Sequence, residues 1–216
     1  DIDAMIPDLG KGGFYHAGQV CVSVQRIFVH ESIADEVAPK LSDYASKLVV
    51  GDQLDPKTEV GPLINNNEVN RVEEWVNEAK EKGGKILTGG SRISASCFQP
   101  TVILNPADDA LVSTKEVFGP VVCIYTYSDI EEAFDRANAL EVSFQAAVFT
   151  KNIDTALKAV KRLSGTAVMV NDHTAFRVDW MPFGGANASG LGMGGIEHSM
   201  IEMSKEKLMV IKSSVL

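Results

Sequence analysis

Hydrophobic and polar positions alternate along the chain in blocks that predict strands and helices in turn. Residues 121–127 (VVCIYTY) form a continuous apolar run, typical of a strand buried on both faces, and residues 24–30 and 98–104 also resemble strands. Between them, apolar residues recur at spacings of three and four, as in an amphipathic helix. The first such pattern covers residues 33–48, with Ser32 as its expected N-cap and Pro39 as an expected kink or boundary.

The second half of the chain repeats this alternation more regularly. After a second helix expected at 69–79 in the first half, the elements expected here are 129–140 (helix), 146–150 (strand), 152–163 (helix) and 167–171 (strand). Strands and helices that alternate with short links predict an α/β domain with a mainly parallel sheet flanked by helices. In such sheets ligands bind beyond the carboxyl ends of the strands, which is where we expect the site.

The last part of the chain has a different pattern. Residues 171–195 are rich in glycine and almost without periodicity, and a loop of that length is usually functional. Residues 207–212 (KLMVIK) then resemble a short strand. A strand at this position needs an edge to pair with, and a second subunit could provide it.

Composition narrows the class of protein. The 216 residues carry a net charge of −9, which argues against nucleic-acid binding, and no run of 18 apolar residues could span a membrane. Three cysteines, Cys21, Cys97 and Cys123, form no C-x-x-C pair, which favours a reducing, cytoplasmic compartment over a disulfide framework. The four scattered histidines give no metal-binding pattern.

Cys21 is the candidate nucleophile. It follows a glycine-containing turn between a predicted helix and a predicted strand, a place that can give a thiol both access and nearby backbone N–H groups. Two other interpretations stay open from the residues alone. Cys21 could be a buried, inert core residue, or it could form a Cys–His hydrolase site with His16 or His173.

Two further features could belong to a site. Gly119-Pro120 forces a sharp entry into the next strand and sets Glu116 and Phe118 at its leading edge, suited to a ribose and a flat heterocycle. The alternative is a polar turn with one core phenylalanine. Arg177 could bind an anionic substrate group, although a surface ion pair with Asp179 is favoured.

Four ordered motifs resemble those of the aldehyde dehydrogenase superfamily, and their spacing agrees along nearly the whole chain. They are FYHAGQVC with Gln25-Arg26 at residues 14–26, VGPLI at 60–64, EVFGP at 116–120, and PFGG with SGLG at 182–192.

The resemblance implies a chemistry for these residues. Cys21 would attack an aldehyde to form a thiohemiacetal, hydride would pass to NAD or NADP, and water would hydrolyse the resulting thioester to a carboxylic acid. The backbone N–H of Cys21 would help to hold the oxyanion. Glu116 would bind the nicotinamide ribose and Phe118 would pack on the nicotinamide. The substrate pocket would be lined by Val20, Val22, Arg177 and Phe183, with Arg177 favouring an anionic aldehyde.

The resemblance also implies that parts of the enzyme lie outside this sequence. Residues 1–203 correspond to the catalytic domain and residues 204–216 to a C-terminal oligomerisation strand, while the N-terminal cofactor-binding domain, the general base and an oxyanion-hole asparagine are absent. We therefore expect a small-molecule aldehyde as substrate, a homo-oligomer joined through the C-terminal strand, and little or no activity in this chain alone. A non-catalytic assembly module is the remaining alternative.

Overall fold

The computed structural model describes residues 1–215 as one α/β fold built around a four-stranded sheet. The helices of the chain are α1 (Ile2–Phe14), a 3-10 helix (Tyr15–Gly18), α2 (Glu31–Lys47), α3 (Asn66–Glu81), α4 (Leu111–Thr114), α5 (Ile130–Asn138), α6 (Ile153–Arg162) and α7 (Ile196–Glu202). The strands are β1 (Arg26–His30), β2 (Lys85–Thr88), β3 (Thr101–Leu104), β4 (Val121–Tyr127), β5 (Val142–Ser143), β6 (Gln145–Val148), β7 (Ala167–Val170) and β8 (Ala186–Asn187).

Strand β4 is the centre of the fold. The four-stranded sheet has the order β1-β4-β3-β2, in which β4 runs parallel to both of its neighbours and β2 is antiparallel to β3. The first five residues of β4 are buried, as expected for a strand covered on both faces, and its predicted bounds are confirmed. A mainly parallel sheet flanked by helices is confirmed with it.

Helices α2 and α3 turn their apolar residues toward the core. In α2 Val37 and Leu41 are fully buried, and in α3 the same holds for Val69 and Val72. The spacing of three or four residues places each set on one face of its helix, which is the pattern that predicted both helices.

Several predicted boundaries are wrong, each for a local reason. Helix α2 begins one residue before Ser32, because the His30 ring accepts the Ser32 N–H and caps the helix. The helix also continues through Pro39 without a boundary, since Pro39 faces solvent, where water can bind the carbonyl freed one turn earlier. Strand β3 begins only after Pro100, which has no N–H to donate to a neighbouring strand.

The second half of the chain does not extend the main sheet. Strands β6 and β7 form a separate parallel pair, and β5 and β8 form a short antiparallel pair. The predicted helix capped by Asn152 is confirmed as α6, because the Asn152 side chain accepts the Thr155 N–H. Outside β8, the predicted long loop at 171–195 has no helix or strand.

The strand predicted at residues 207–212 is not formed. Residues 204–215 contain no helix or strand, and Leu208, Met209, Val210 and Ile211 are exposed. An extended segment needs an edge to supply hydrogen-bond partners, and within the described chain no strand pairs with it. Its pairing with another subunit stays a prediction. Among residues 1–215, no helix is long and apolar enough to cross a membrane.

Candidate active site

Cys21 lies on an exposed turn, whereas Cys97 and Cys123 are buried. The turn is closed by a hydrogen bond from the Ser23 N–H to the Val20 carbonyl at 3.0 Å. The interpretation of Cys21 as a buried core thiol is therefore wrong, and the same interpretation is confirmed for Cys123, where burial raises the pKa of the thiol to about 12.

The Cys21 turn is anchored on both sides. The Val24 N–H donates to the Gly12 carbonyl at 3.0 Å, and the Ser23 hydroxyl lies 3.3 Å from the same oxygen. From the loop after β7, the Thr174 hydroxyl donates to the Val22 carbonyl at 2.7 Å. These contacts fix the path of the backbone around Cys21 while its side chain stays open to solvent.

An unusual backbone conformation precedes the turn. His16, Ala17 and Gly18 have φ angles of 49°, 55° and 70°, three left-handed residues in succession. Phe118, on the segment facing them, has a φ of 43°. Residues other than glycine adopt this conformation only where the surrounding structure holds them, and such residues cluster at functional sites.

Gly18 and Gly119 bring these two segments together. A Cβ at Gly18 would lie 2.1 Å from the Gly119 carbonyl oxygen, so the two backbones touch. The Cys21 turn leads into β1 and the Phe118 segment leads into β4, which are parallel neighbours. The site thus lies at the amino ends of these strands. Our expectation of a site at their carboxyl ends is wrong, because the segments that enter the strands build it.

A narrow cleft of about 30 Å³ lies between these segments. It brings together four of the predicted site residues, Val20, Cys21, Glu116 and Phe118. Phe118 is 39 % exposed, so the alternative of a core phenylalanine in a polar turn is wrong. The remaining lining residues are Gly18, Ser23, Gln25, Gly119 and Val121.

A second, larger cleft of about 370 Å³ contains Arg177, the residue predicted to bind an anionic substrate group. Its guanidinium donates to the Met181 carbonyl at 3.0 Å and lies 4.4 Å from the centre of the Phe183 ring. The favoured ion pair with Asp179 is wrong: within residues 1–215 no carboxylate lies within 4.0 Å of Arg177. The cleft is lined by Asp8, Lys11, Tyr15, Asp172, His173, Ala175, Phe176 and Arg177.

Two predicted pocket residues lie in neither cleft. Val22 is only 8 % exposed, and its contribution to the site is the carbonyl that Thr174 holds. Phe183 packs edge-on against Phe144 with ring centres 5.0 Å apart, and the Arg177 guanidinium lies over its ring. The structure therefore gives Val22 and Phe183 supporting positions and does not make them walls of a pocket.

Tyr15 was not anticipated, although it stands in the first motif. It lines the larger cleft, and its pKa is raised by partial burial and then by the charge of the nearby Cys21 sulfur. Tyr15 thus lies close to both clefts. Its position follows from the 3-10 helix after α1, which no periodicity in the sequence announces.

The arrangement does not support a Cys–His pair. His16 is exposed, and the His173 ring accepts the Ala175 N–H at 3.1 Å. In the part of the chain that the structure describes, no hydrogen bond joins the His16 or His173 ring to Cys21. Among the same residues, no group of three or more His, Cys, Asp or Glu side chains could hold a metal ion.

Comparison with known sequences agrees with this geometry. Residues 1–209 match the sequence model of the aldehyde dehydrogenase family. The chain is 41 % identical over 211 residues to a 3-sulfolactaldehyde dehydrogenase of Priestia megaterium, covering 98 % of this chain and 44 % of the relative. It is 43 % identical over 211 residues to a lactaldehyde dehydrogenase of Methanocaldococcus jannaschii, covering 98 % of this chain and 45 % of that relative. The chain thus spans less than half the length of these relatives.

Solved structures give the same result. Aldehyde dehydrogenase 21 of Physcomitrella patens, in complex with the reaction product succinate, superposes with a TM-score of 0.91 at 39 % identity and covers 94 % of this chain and 42 % of its own. Glyceraldehyde-3-phosphate dehydrogenase GapN of Methanocaldococcus jannaschii, complexed with NADP, gives 0.91 at 41 % identity and covers 95 % and 44 %. With an exposed cysteine facing the Glu116–Phe118 segment, a matching sequence and a matching fold, this chain belongs to the aldehyde dehydrogenase family.

Proposed function

We propose that this chain carries the catalytic cysteine of an NAD(P)-dependent aldehyde dehydrogenase that oxidises an aldehyde to a carboxylic acid. The observation that carries the proposal is the shared cleft, in which the exposed Cys21 thiol faces Glu116 and Phe118. A nucleophile and a cofactor-binding segment have to meet at the reacting carbon, and these two segments are already in contact through Gly18 and Gly119.

The chemistry of Cys21 follows from its position. Once the exposed thiol has lost its proton to solvent, the sulfur attacks the aldehyde carbonyl, an S–C bond forms, and the carbonyl π electron pair moves to oxygen. The Cys21 N–H has no hydrogen-bond acceptor among residues 1–215, so it is free to donate to that oxyanion. A bound NAD(P)+ would supply the acceptor for the hydride that leaves the former aldehyde carbon. Water would then cleave the Cys21 thioester, which releases the carboxylic acid and returns the sulfur as a thiol.

The other face of the cleft has groups that fit a nicotinamide nucleotide. The Glu116 carboxylate is exposed and can accept hydrogen bonds from ribose hydroxyls. The left-handed backbone at Phe118 keeps 39 % of this residue exposed beside Cys21, where its ring can pack on a flat heterocycle. We assign these two residues to the nicotinamide ribose and the nicotinamide ring.

We further propose that the chain acts as the catalytic half of a larger enzyme. Residues 1–203 form its thiol-bearing domain, and the cofactor is held mainly by an N-terminal domain outside this sequence. One observation supports this: the relatives are more than twice as long as this chain. The exposed apolar run at 208–211 supports a homo-oligomer built through residues 204–216.

The larger cleft favours an anionic aldehyde. Arg177 uses one of its five N–H groups on Met181, which leaves four for a ligand, and Lys11 adds a second positive charge. Two carboxylates, Asp8 and Asp172, also line this cleft and balance the formal charges of Arg177 and Lys11, so the preference for an anion rests on the N–H groups that Arg177 does not share. The names of similar proteins mention 3-sulfolactaldehyde, succinate as a reaction product, and glyceraldehyde-3-phosphate. Each of these three molecules carries an anionic group.

The test of the reaction uses the polypeptide encoded by the complete reading frame, with formation of reduced nicotinamide as the readout. Cys21→Ser is expected to lower kcat at least a thousandfold, with Cys97→Ser as the matched control that keeps turnover. Mass spectrometry of the wild type after a quench should find the acyl group on the peptide that contains Cys21. Turnover that survives Cys21→Ser would refute the proposed function.

The substrate class is tested at Arg177. Arg177→Gln is expected to raise KM for succinic semialdehyde about 10- to 100-fold, since a charge-assisted hydrogen bond is lost, and to leave KM for propanal within about twofold. An equal change for both aldehydes, or none for either, would contradict an anion-binding role. The lactaldehyde-named relatives make lactaldehyde the neutral comparison of most interest.

The hydrolase and assembly alternatives have direct tests. A Cys–His ion pair would make the pH dependence of Cys21 alkylation shift in His16→Ala or His173→Ala, and we expect no shift in either. If residues 204–216 join the subunits, a chain without them should be smaller in solution by a whole-number ratio. An unchanged assembly would exclude this segment as the contact.

A further inference from the structure

Val117 is held on both sides by side chains from distant parts of the chain. Its N–H donates to the Gln25 side-chain oxygen at 3.0 Å, and its carbonyl accepts from the Arg71 guanidinium at 2.6 Å. Gln25 is 92 residues away in sequence and Arg71 is 46. Side chains therefore bind both backbone polar groups of one residue in a segment that is neither helix nor strand.

Both the oxygen and the NH2 group of the Gln25 side chain form hydrogen bonds with this segment. Besides accepting from Val117, its NH2 group donates to the Val112 carbonyl at 2.9 Å and to the Lys115 carbonyl at 2.7 Å. Both carbonyls lie at the end of α4, where a short helix leaves acceptors without a partner. One side chain thus ties the turn between α4 and β4 to the beginning of β1.

Arg71 is also held in place, although its buried Nη1 has no hydrogen-bond partner among the described residues. Its Nε donates to Glu68 at 2.8 Å, and its guanidinium lies 4.5 Å from the centre of the Trp75 ring. Both contacts come from α3, the same helix that carries Arg71. The guanidinium therefore reaches Val117 as a rigid, oriented donor.

The held residue separates the two proposed cofactor contacts. Glu116 precedes Val117 and Phe118 follows it, and both lie in the cleft, while the Val117 side chain is 1 % exposed in the core. Phe118 needs such support because its left-handed φ of 43° is unfavourable for an aromatic residue. Gln25 also lies four residues after Cys21, so the segment that bears the thiol fixes the segment that faces it.

We propose that Gln25 and Arg71 are positioning residues that set Glu116 and Phe118 for the cofactor by clamping Val117 between them. The proposal rests on the proposed function, because the clamp matters only if Glu116 and Phe118 contact a nicotinamide nucleotide. It predicts an effect on cofactor use that is separate from any effect on the thiol or on the aldehyde.

The test compares Gln25→Met, which keeps the volume and removes all three hydrogen bonds, with Ser113→Ala. Ser113 lies on α4 outside the cleft lining, and its hydroxyl bonds to the Ala107 carbonyl and to the Tyr125 hydroxyl, each at 2.7 Å, so it controls for loss of stability in the same region. In the polypeptide from the complete reading frame, Gln25→Met should raise KM for NAD(P)+ at least tenfold. KM for the aldehyde and the rate of Cys21 alkylation should stay within twofold.

Arg71 provides a rescue within the same design. Arg71→Met should raise KM for NAD(P)+, and Arg71→Lys should recover part of the loss because its ammonium group can still donate to the Val117 carbonyl. An unchanged cofactor KM in Gln25→Met would overturn the proposal. So would an equal rise in Ser113→Ala at matched stability, because the effect would then be structural only.

Amide hydrogen exchange separates this inference from the proposed function. Peptides covering residues 112–118 should exchange at least tenfold faster in Gln25→Met than in the wild type, whether or not the protein oxidises aldehydes. A wild type without NAD(P)-dependent turnover would refute the proposed function. The hydrogen-exchange rates of these peptides would still test whether Gln25 clamps Val117. Unchanged exchange in these peptides would overturn the proposal that Gln25 clamps Val117.

Discussion

Gly18→Ala is the sharpest test of the contact that forms the cleft. The new Cβ would lie 2.1 Å from the Gly119 carbonyl oxygen and 2.7 Å from its carbon, both backbone atoms that no side-chain rotation can move away. It would also sit on a residue with a φ of 70°, which L-residues with a side chain seldom adopt. Two separate penalties therefore act at one position.

Their sizes can be worked out separately. The left-handed conformation costs an alanine about 1–2 kcal/mol relative to glycine. Forcing a methyl group into an occupied space adds about 1–3 kcal/mol. Gly18→Ala should therefore lower the free energy of unfolding by about 2–5 kcal/mol, and the relief of the clash should move the Gly119 backbone and Phe118 away from Cys21.

Gly83→Ala is the matched control. Gly83 has a φ of 96°, and nothing lies within 4 Å of its Cβ position, so only the conformational penalty of about 1–2 kcal/mol applies. Unfolding of each variant in urea gives both losses, and turnover of the polypeptide from the complete reading frame reports the displacement of Phe118. If Gly18→Ala were no less stable than Gly83→Ala and equally active, the two segments would not be in contact and the description of the cleft would be wrong.

Three further predictions concern the core and the thiols. Phe98→Ala removes a ring that is 1 % exposed and should cost about 3–5 kcal/mol in urea unfolding, so a loss below about 1 kcal/mol would contradict its core position. Burial raises the pKa of Cys123 from 9.0 to about 12, so the unfolded chain releases this proton first and stability falls as pH rises between those values. Cys123→Ala should therefore flatten the dependence of unfolding free energy on alkaline pH, and equal slopes would refute this. Iodoacetamide on the native protein should modify Cys21 and spare Cys97 and Cys123 in a peptide map, and labelling of Cys123 would contradict its burial.

Helices α2, α3, α5 and α6 could be predicted because burial of one face imposes a period on the sequence, and the central strand because burial of both faces gives a continuous apolar run. Both ends of β4 (Val121–Tyr127) were predicted correctly, because its first five residues are all buried on one face of the sheet or the other. The ends of the other elements depend on contacts that periodicity does not contain. The earlier start of α2, at Glu31, comes from the cap that the His30 ring provides. The delayed start of β1 comes from the hydrogen bond between Val24 and Gly12.

The site was predictable only in part, for a similar reason. The motifs predicted Cys21, Glu116 and Phe118 from their residue types, and the structure brings these three residues into one cleft, while their roles stay predictions. The placement of Arg177 over Phe183 instead of beside Asp179 depends on the path of a loop without regular structure. Gln25 stands in the first motif, but no role was predicted for it. Its three hydrogen-bond partners lie 87 or more residues away in sequence, and no local pattern points to them.

The distribution of the three sulfur atoms has a consequence for handling the protein. Only one of them meets solvent, and the other two are enclosed in the core, where they cannot reach it while the chain stays folded. Peroxide would convert the exposed one to a sulfenic acid that has no neighbouring thiol to trap it as a disulfide, and further oxidation to the sulfinic acid is irreversible. Purification and storage therefore call for an added reductant.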